Sequence, residues 1–441
     1  MNLFALRLVA VFAVGVCLGS VVNWAIYALA WTPRPISPWS HLPAEFAARR
    51  RSDRVPIFGW LRLKREVHLF GRGFWIRPLL LEIAVGAILA WLYWWEVGQM
   101  ALVQPQVGPA PIVPPMLALH LQFASHVALL CWMFAASFVD IDEKIIPDEI
   151  TVSGTLLGLL LAAAAPMSLL PHVSEPLNVP IVGEVLTLVN GGRAIGPHGI
   201  AQWLEPTTAV APNGWPPTWG VFRQPLSLAV GIGCYWLWIF ALAPRMWRGR
   251  RGPVFAMRLI STRMWREFRR GPLLWLWLVG TIAITGVWAL SDKSWEGLLT
   301  SLLGLVGSGC LVWAVRLIGT FSLRREAMGF GDVTLMMMIG TFLGWQACLI
   351  LFFMSPFAAL LVGAIQFIAR RDDVIPFGPF LCLAAAAVVV WWAPIWLWAQ
   401  PLFEHGALVP TVLAVCLLML GAMLTIWRII KTAIFGDPDA V

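Results

Sequence analysis

The chain of 441 residues is 59% hydrophobic and only 12% charged, with a mean hydropathy of +0.78, which excludes an ordinary soluble domain. Its net charge of +8 comes from Lys and Arg residues in short loops between apolar segments, which is typical of membrane topology and not of nucleic-acid binding. The seven cysteines stand alone in apolar segments without C-x-x-C spacing, so neither a disulfide framework nor a structural zinc site is predicted.

Apolar stretches of about 20 residues recur along the chain, and each is long enough to cross a bilayer as a helix. They predict an all-α, polytopic transmembrane helical bundle of about eleven spans. The run 333–369 is too long for one span and has possible breaks at Gly344 or at Ser355-Pro356, so we expect a hairpin of two short helices there. The predicted spans are 8–31, 78–97, 116–139, 150–170, 225–243, 273–290, 298–319, the two halves of 333–369, 379–400 and 408–430.

Basic residues in the loops predict the orientation, because loops rich in Lys and Arg stay in the cytoplasm. The most basic segments are loops 32–77 and 244–272, together with Arg370 and Arg371. A periplasmic N-terminus places all three on the cytoplasmic side of the membrane.

An acidic cluster lies between two predicted spans, at the predicted cytoplasmic edge of the membrane. Its members are Asp140, Asp142, Glu143, Asp148 and Glu149. Ionisable groups at membrane depth are costly, so their presence favours a functional role. The alternative is a solvated loop, and we expect Asp142, Glu143 and Glu149 to be ordinary loop charges. Asp-x-Asp also remains open as a ligand pair for a divalent metal ion.

A second acidic site stands at the start of the long apolar run. Asp332 follows Gly329 and Gly331, two glycines that permit close approach of the backbone. Two carboxylates held together in a poorly solvated site share a proton, and they can activate a water molecule for attack on a peptide carbonyl. Asp140 and Asp332 are therefore candidates for an aspartic-protease pair. From the residues alone, Asp332 is equally open to interpretation as a helix N-cap.

Several motifs in this order resemble those of the type IV prepilin leader peptidases. Asp140 followed by Ile146-Pro147-Asp148 is similar to the first aspartate motif of that family, and Gly329-Phe-Gly-Asp332 resembles its Gly-x-Gly-Asp motif. Further segments that look like the family are Gly344-Trp-Gln, Ile375-Pro-Phe-Gly-Pro-Phe380, Gly19-Ser20, Asn23, Tyr27, Val55-Pro-Ile-Phe-Gly-Trp60, Arg77-Pro78 and Glu82.

The resemblance implies an aspartic endopeptidase of the bacterial inner membrane that removes the basic leader of prepilins or pseudopilins at the cytoplasmic face. By position it assigns Asp140 and Asp332 as the catalytic pair. The supporting residues are then Gly329, Gly331, Pro147 and Asp148. No cofactor and no metal is expected. The expected partners are the prepilin substrates and the lipid bilayer, and no nucleic acid.

Three features depart from the pattern of the family. Many members carry two C-x-x-C pairs in the first cytoplasmic loop, whereas residues 65–72 have none, so the resemblance does not support metal binding or N-methyltransferase activity there. The aspartates lie 192 residues apart, because residues 171–294 insert a loop and two extra spans. Thr334 replaces the lysine that is usual two residues after the second aspartate, and an extra span follows residue 407.

The predicted segments of the chain are 1–31, the first span; 32–77, the basic loop; 78–170, with the first aspartate; 171–294, the insertion; 295–400, with the second aspartate; and 401–441, the extra span and tail.

Three other classes of protein fit parts of the pattern. A presenilin-like intramembrane protease shares Gly-x-Gly-Asp but expects a Tyr-Asp partner, whereas Asp140 follows Val139. A polytopic glycosyl or phosphoglycosyl transferase would use Asp140-Ile-Asp142 with Mg²⁺, and a metal requirement would reveal it. A transporter would account for the number of spans and for the broken run 333–369, and uptake without proteolysis would reveal that class.

Overall fold

A computed structural model describes residues 3–40, 49–103, 114–173, 177–178, 193–195, 200–202, 204–212, 214–215, 224–243, 271–324, 328–369 and 376–435. Its helices are α1 (Leu3–Ala28), α2 (Phe58–Leu63), α3 (Val67–Phe70), α4 (Ile76–Tyr93), α5 (Met116–Glu143), α6 (Asp148–Ala164), α7 (Pro225–Leu242), α8 (Pro272–Leu290), α9 (Asp292–Leu323), α10 (Phe330–Ala369), α11 (Gly378–Val390), α12 (Trp392–Glu404) and α13 (Leu408–Phe435). Its short strands are β1 (Pro171–Val173), β2 (Leu177–Asn178), β3 (Arg193–Ile195), β4 (Ile200–Gln202) and β5 (Leu204–Pro206). Strand β1 pairs antiparallel with β5, and β4 pairs antiparallel with both β2 and β3.

The all-α, polytopic fold predicted from the sequence is confirmed. In the described ranges, eight helices are long and apolar enough to cross a membrane, namely α1, α4, α5, α7, α8, α9, α10 and α13. Helices α11 and α12, bent by 93° relative to each other, form a ninth candidate. The expected count of about eleven is reached when α6, which has 17 residues, and the second half of α10 are also counted as spans.

The long run that begins at Phe330 is broken at Gly344, one of the two expected positions. Gly344 has φ 79° and ψ 171°, which lie outside the helical region and are available to glycine, whereas Pro356 lies within helical backbone. After the break, Trp345 and Leu349 line a cavity together with residues of α9. Both halves of α10 therefore contact α9, and the hairpin of two short helices stays a prediction.

The most extensive helix contact in the described structure joins α9 to α10. At its centre the two backbones meet, because a Cβ on Gly304 would lie 2.1 Å from the Gly340 carbonyl oxygen and a Cβ on Gly340 would lie 2.2 Å from that of Gly304. Nearby, the Ser308 hydroxyl donates a 2.8 Å hydrogen bond to the carbonyl of Met336. Small residues and interhelical hydrogen bonds drive helix association in lipid, where the hydrophobic effect contributes little. This contact sets the position of Asp332, at the start of α10, relative to α9.

The segment between α1 and α4 is folded against both helices. The fully buried Glu82 carboxylate of α4 accepts hydrogen bonds from Trp60 Nε1 at 2.8 Å and from the Ile57 N–H at 2.6 Å. Asn23 of α1 donates to the same carboxylate at 3.5 Å and to the Pro78 carbonyl at 2.9 Å. The predicted loop 32–77 is thus anchored to the membrane-spanning helices by one buried acid.

Some predicted features lie outside the described residues. These include the basic stretch 244–270 together with Arg370 and Arg371. The orientation of the chain across the membrane therefore stays a prediction.

The contact between α9 and α10 leads to a first prediction. Gly340→Ala should lower the midpoint of thermal unfolding in detergent, because the added methyl group must push the Gly304 backbone away, at a cost of about 1–3 kcal/mol. Gly233→Ala on α7 is the matched control, since nothing lies within 4 Å of a Cβ at that position. An equal effect of the two substitutions would contradict the close contact.

Candidate functional site

Asp140 lies in the last turn of α5 and is 5% exposed. The helix ends because Lys144 adopts a left-handed conformation, with φ 57° and ψ 28°, while its N–H donates a 2.8 Å hydrogen bond to the Asp140 carbonyl. Ile146 follows as a buried residue, and Pro147 caps the start of α6. This tight corner holds the Asp140 carboxyl group inside the protein.

Asp332 is the third residue of α10 and is 7% exposed. Arg316 of α9 holds the segment just before it, because Arg316 Nε donates a 2.8 Å hydrogen bond to the Met328 carbonyl and its guanidinium lies 5.7 Å from the centre of the Phe330 ring. Thr334 is buried, and its hydroxyl donates to the Gly331 carbonyl at 3.0 Å. The start of α10 is therefore fixed by contacts on both sides of the aspartate.

The fold brings the two aspartates together although they are distant in sequence. Their carboxyl groups are close enough to interact electrostatically with each other. Both also interact electrostatically with the thiol of Cys382 in α11. Ser137 of α5 forms a hydrogen bond with the same thiol. Asp140 and Asp332 thus share one buried site, where α5, α10 and α11 meet.

Ile146 packs between the segments that carry the site. A Cβ on Gly331 would lie 3.1 Å from Ile146 Cβ, and a Cβ on Gly378 would lie 3.1 Å from Ile146 Cδ1. Because both neighbours are glycines, the starts of α10 and α11 can approach this one side chain. The corner after Asp140 therefore acts as the common packing surface of the site.

Gly378, the first residue of α11, contacts Asp140 directly. Its backbone N–H donates a hydrogen bond to the Asp140 carboxylate. The N-terminus of a helix carries a partial positive charge, which favours an anion at this position. A Cβ on Gly378 would lie 2.6 Å from Asp140 Oδ2, so no side chain fits there. The motif around residue 378 was noticed in the sequence, but its contact with Asp140 was not predicted.

The model of the type IV leader peptidase family matches residues 270–364, a range that includes Asp332 and its Gly-x-Gly-Asp motif but not Asp140. The resemblance to the type IV prepilin leader peptidases is confirmed. The chain is similar to proteins named prepilin leader peptidase/N-methyltransferase. The match is 31% identical over 124 residues in Stutzerimonas stutzeri, 29% over 123 in Pseudomonas aeruginosa and 30% over 130 in Aeromonas hydrophila.

These matches cover 27%, 27% and 29% of this chain and 39%, 39% and 42% of the respective relatives. The chain therefore spans about two fifths of the length of the curated prepilin peptidases that it matches. No solved structure matches the chain. Together with the apolar helices, the relatives support an integral membrane protein.

The four supporting residues suggested by the prepilin-peptidase motifs lie in different surroundings. Gly331 makes the tight contact with Ile146, whereas a Cβ on Gly329 would meet Asp332 Oδ2 at an ordinary 3.7 Å. Pro147 is half-buried, and Asp148 is exposed at the first position of α6. Of these four residues, Gly331 and Pro147 shape the corner next to the aspartates most directly.

The expectation that Asp142 and Glu143 are ordinary charges of a solvated loop is wrong. Both lie in the last turn of α5, which continues beyond the predicted span because Lys144 ends the helix only after them. Arg77 donates to Asp142 Oδ1 and Oδ2 at 2.8 and 2.9 Å, and Glu143 accepts the N–H groups of Trp31 and Thr32 at 2.6 and 3.2 Å. These acids join the end of α5 to α4 and to the chain after α1. The neighbouring acid of α6, at position 149, is exposed as expected.

A second prediction concerns Gly378. Gly378→Ala should displace the Asp140 carboxyl or the start of α11, because the new methyl group would otherwise lie 2.6 Å from Oδ2. We expect a lower midpoint of thermal unfolding in detergent, by about 1–3 kcal/mol of stability.

Gly329→Ala in the other glycine motif is the matched control, since its Cβ would meet Asp332 at 3.7 Å. If Gly329→Ala destabilised the protein as much as Gly378→Ala, the special role of Gly378 would be refuted.

Proposed function

We propose that the protein is a membrane aspartic endopeptidase in which Asp140 and Asp332 form the catalytic pair. The observation that carries the proposal is the meeting of two acids, separated by 192 residues, in one site where each is less than a tenth exposed. Burying two interacting carboxyl groups is unfavourable unless they share a proton, which is the state that an aspartic protease uses. The family match of residues 270–364 supports the same conclusion.

The surroundings favour different roles for the two acids. The Gly378 N–H and the N-terminus of α11 stabilise the ionised form of Asp140, so Asp140 takes a proton from the attacking water. Asp332 then carries the shared proton and donates it to the carbonyl oxygen of the scissile peptide. When the tetrahedral intermediate collapses, Asp332 takes a proton back from a hydroxyl group of the intermediate and Asp140 gives its proton to the leaving amine, so the pair regains its starting state.

The proposed substrates are prepilins or pseudopilins, cleaved between a short basic leader and an apolar helix. Support comes from the names of the similar proteins and from the position of both aspartates at helix ends. The family resemblance also suggests a small residue, glycine, before the scissile bond. The basic loops favour a bacterial inner membrane with the site at its cytoplasmic face.

The N-methyltransferase activity in the names of the relatives is not part of the proposal. In this chain, two ion pairs tie the start of the segment 65–72, where the family motif would place a cysteine pair, to the residues before it. Arg49 binds Glu66 at 2.7 Å, and Arg65 binds Asp53. The segment is thus held by charged side chains of its own.

The third prediction tests the catalytic pair. Asp140→Asn and Asp332→Asn should each abolish cleavage of a prepilin, as followed by N-terminal sequencing of the product, because an amide can neither accept nor supply the required proton. The double variant should be scarcely worse than either single one, since the two acids act as a unit.

Glu149→Gln is the matched control, because Glu149 is an exposed carboxylate at the neighbouring helix start. This variant should retain most of the cleavage, and all variants should insert in the membrane and accumulate. Cleavage by Asp332→Asn within a few-fold of wild type would rule out the aspartic mechanism.

A fourth prediction separates this mechanism from a metal-dependent one. EDTA should leave prepilin cleavage intact, because the proton exchange between two carboxyl groups needs no metal ion. Cleavage is compared before and after chelation, and then after addition of Mg²⁺ or Zn²⁺. Loss of activity with EDTA and recovery with either ion would favour a metal mechanism instead.

A further inference from the structure

The short segment 51–63, which we call the wedge, packs against the candidate membrane-spanning helices α1 and α4. It contains a 3₁₀ turn at Arg51–Arg54 and helix α2. Its anchor, Glu82, is the seventh residue of α4, which is about 9 Å along the helix axis from the first residue. The wedge therefore lies beside the first two turns of α4, a candidate membrane-spanning helix.

The inner side of the wedge is rigidly packed. Trp60 and Leu63 are fully buried, and a Cβ on Gly59 would lie 2.1 Å from the Asp53 carbonyl oxygen. Ile57 adopts a positive φ of 64°, a strained conformation for a β-branched residue, while its N–H donates to Glu82. These contacts fix which side chains of the wedge point outward.

The outward side of the wedge combines apolar and basic residues. Val55, Phe58 and Leu61 are 47%, 64% and 47% exposed, although they are large and hydrophobic. The exposed basic residues around them are Arg51, Arg54 and Arg62. At the other end of α2, Lys64 lies 5.1 Å from the centre of the Trp75 ring, directly before α4. Apolar side chains flanked by arginines and a tryptophan are the composition of elements that lie in a membrane interface.

We propose that the wedge binds anionic phospholipid, with Val55, Phe58 and Leu61 in the boundary between head groups and acyl chains. Arg51, Arg54 and Arg62 then face the phosphate groups. Charge complementarity favours this occupant, because a basic rim attracts acidic head groups while the contacts with Glu82 hold the wedge, with its apolar residues, against the first turns of α4. The proposal concerns lipid and stands independently of the proteolytic function.

Lipid retention tests the basic rim. Wild type is reconstituted in nanodiscs of mixed phosphatidylglycerol and phosphatidylcholine, and the lipid that copurifies after transfer to detergent is measured by mass spectrometry. A variant with Arg51→Gln, Arg54→Gln and Arg62→Gln should lose at least half of the retained phosphatidylglycerol, since each basic residue near the surface strengthens binding by roughly five-fold.

The charge-matched control carries Lys293→Gln, Arg428→Gln and Lys431→Gln, which remove the same net charge elsewhere. It should lose less phosphatidylglycerol than the wedge variant, because its three basic residues do not surround one exposed apolar patch. An equal loss of phosphatidylglycerol in both variants would show that retention depends only on net charge, and this would overturn the proposal.

Insertion depth tests the apolar side. Phe58→Cys is labelled with an environment-sensitive fluorophore in a background where the exposed Cys17, Cys310 and Cys416 are replaced by alanine. Quenchers on lipid chains should reduce the fluorescence strongly and aqueous iodide weakly, as they should for a label at the lipid-facing Leu418 of α13. Strong quenching by iodide with little effect of the lipid quenchers would refute the insertion of the wedge into lipid. It would instead favour a surface that binds a protein partner.

Discussion

The backbone contact between Gly304 of α9 and Gly340 of α10 is the constraint on which the site depends. A spanning helix can slide or rotate along its neighbour unless small residues and hydrogen bonds specify the register, because lipid competes equally for apolar surface. Here each glycine leaves no room for a methyl group, and Ser308 adds a hydrogen bond to α10. Asp332, two turns before Gly340, is held in place by this register.

The long stretch of chain between the aspartates is compatible with the same site. Helices α7 and α8, which lie in this stretch, both contact α9 and so pack beside the helix that positions α10. That residues 171–294 are an insertion stays a prediction, and the match to the family model, which begins at residue 270, already includes α8. The tight corner at Lys144 and Ile146 completes the arrangement, because it presents one buried side chain to the starts of both α10 and α11.

The buried carboxylates of this protein differ in how fully they are hydrogen-bonded. Glu82 accepts from Trp60, Ile57 and Asn23, which satisfies both of its oxygens and suits a structural anchor. Asp140 receives the N–H of Gly378 and faces a second acid. A carboxylate surrounded by donors is stabilised in one charge state, whereas an acid beside another acid can exchange a proton. Burial alone therefore does not separate the proposed catalytic acids from a structural one, whereas their hydrogen-bond partners do.

The sequence by itself determined the helical architecture, two alternative positions for the break in the run 333–369 and the two candidate acids. Bilayer thickness requires about 20 apolar residues for each span, and the effects of glycine and proline on a helix are local, so both can be read from the sequence. The structure decided between the two positions in favour of Gly344. Only the tertiary structure decided that Gly378 contacts Asp140 and that Arg77 pairs with Asp142. These contacts join residues far apart in the chain, and no periodicity encodes which helix ends will meet. Their physical reason is the close packing of α5, α10 and α11 around Ile146, which arises only when the bundle is assembled.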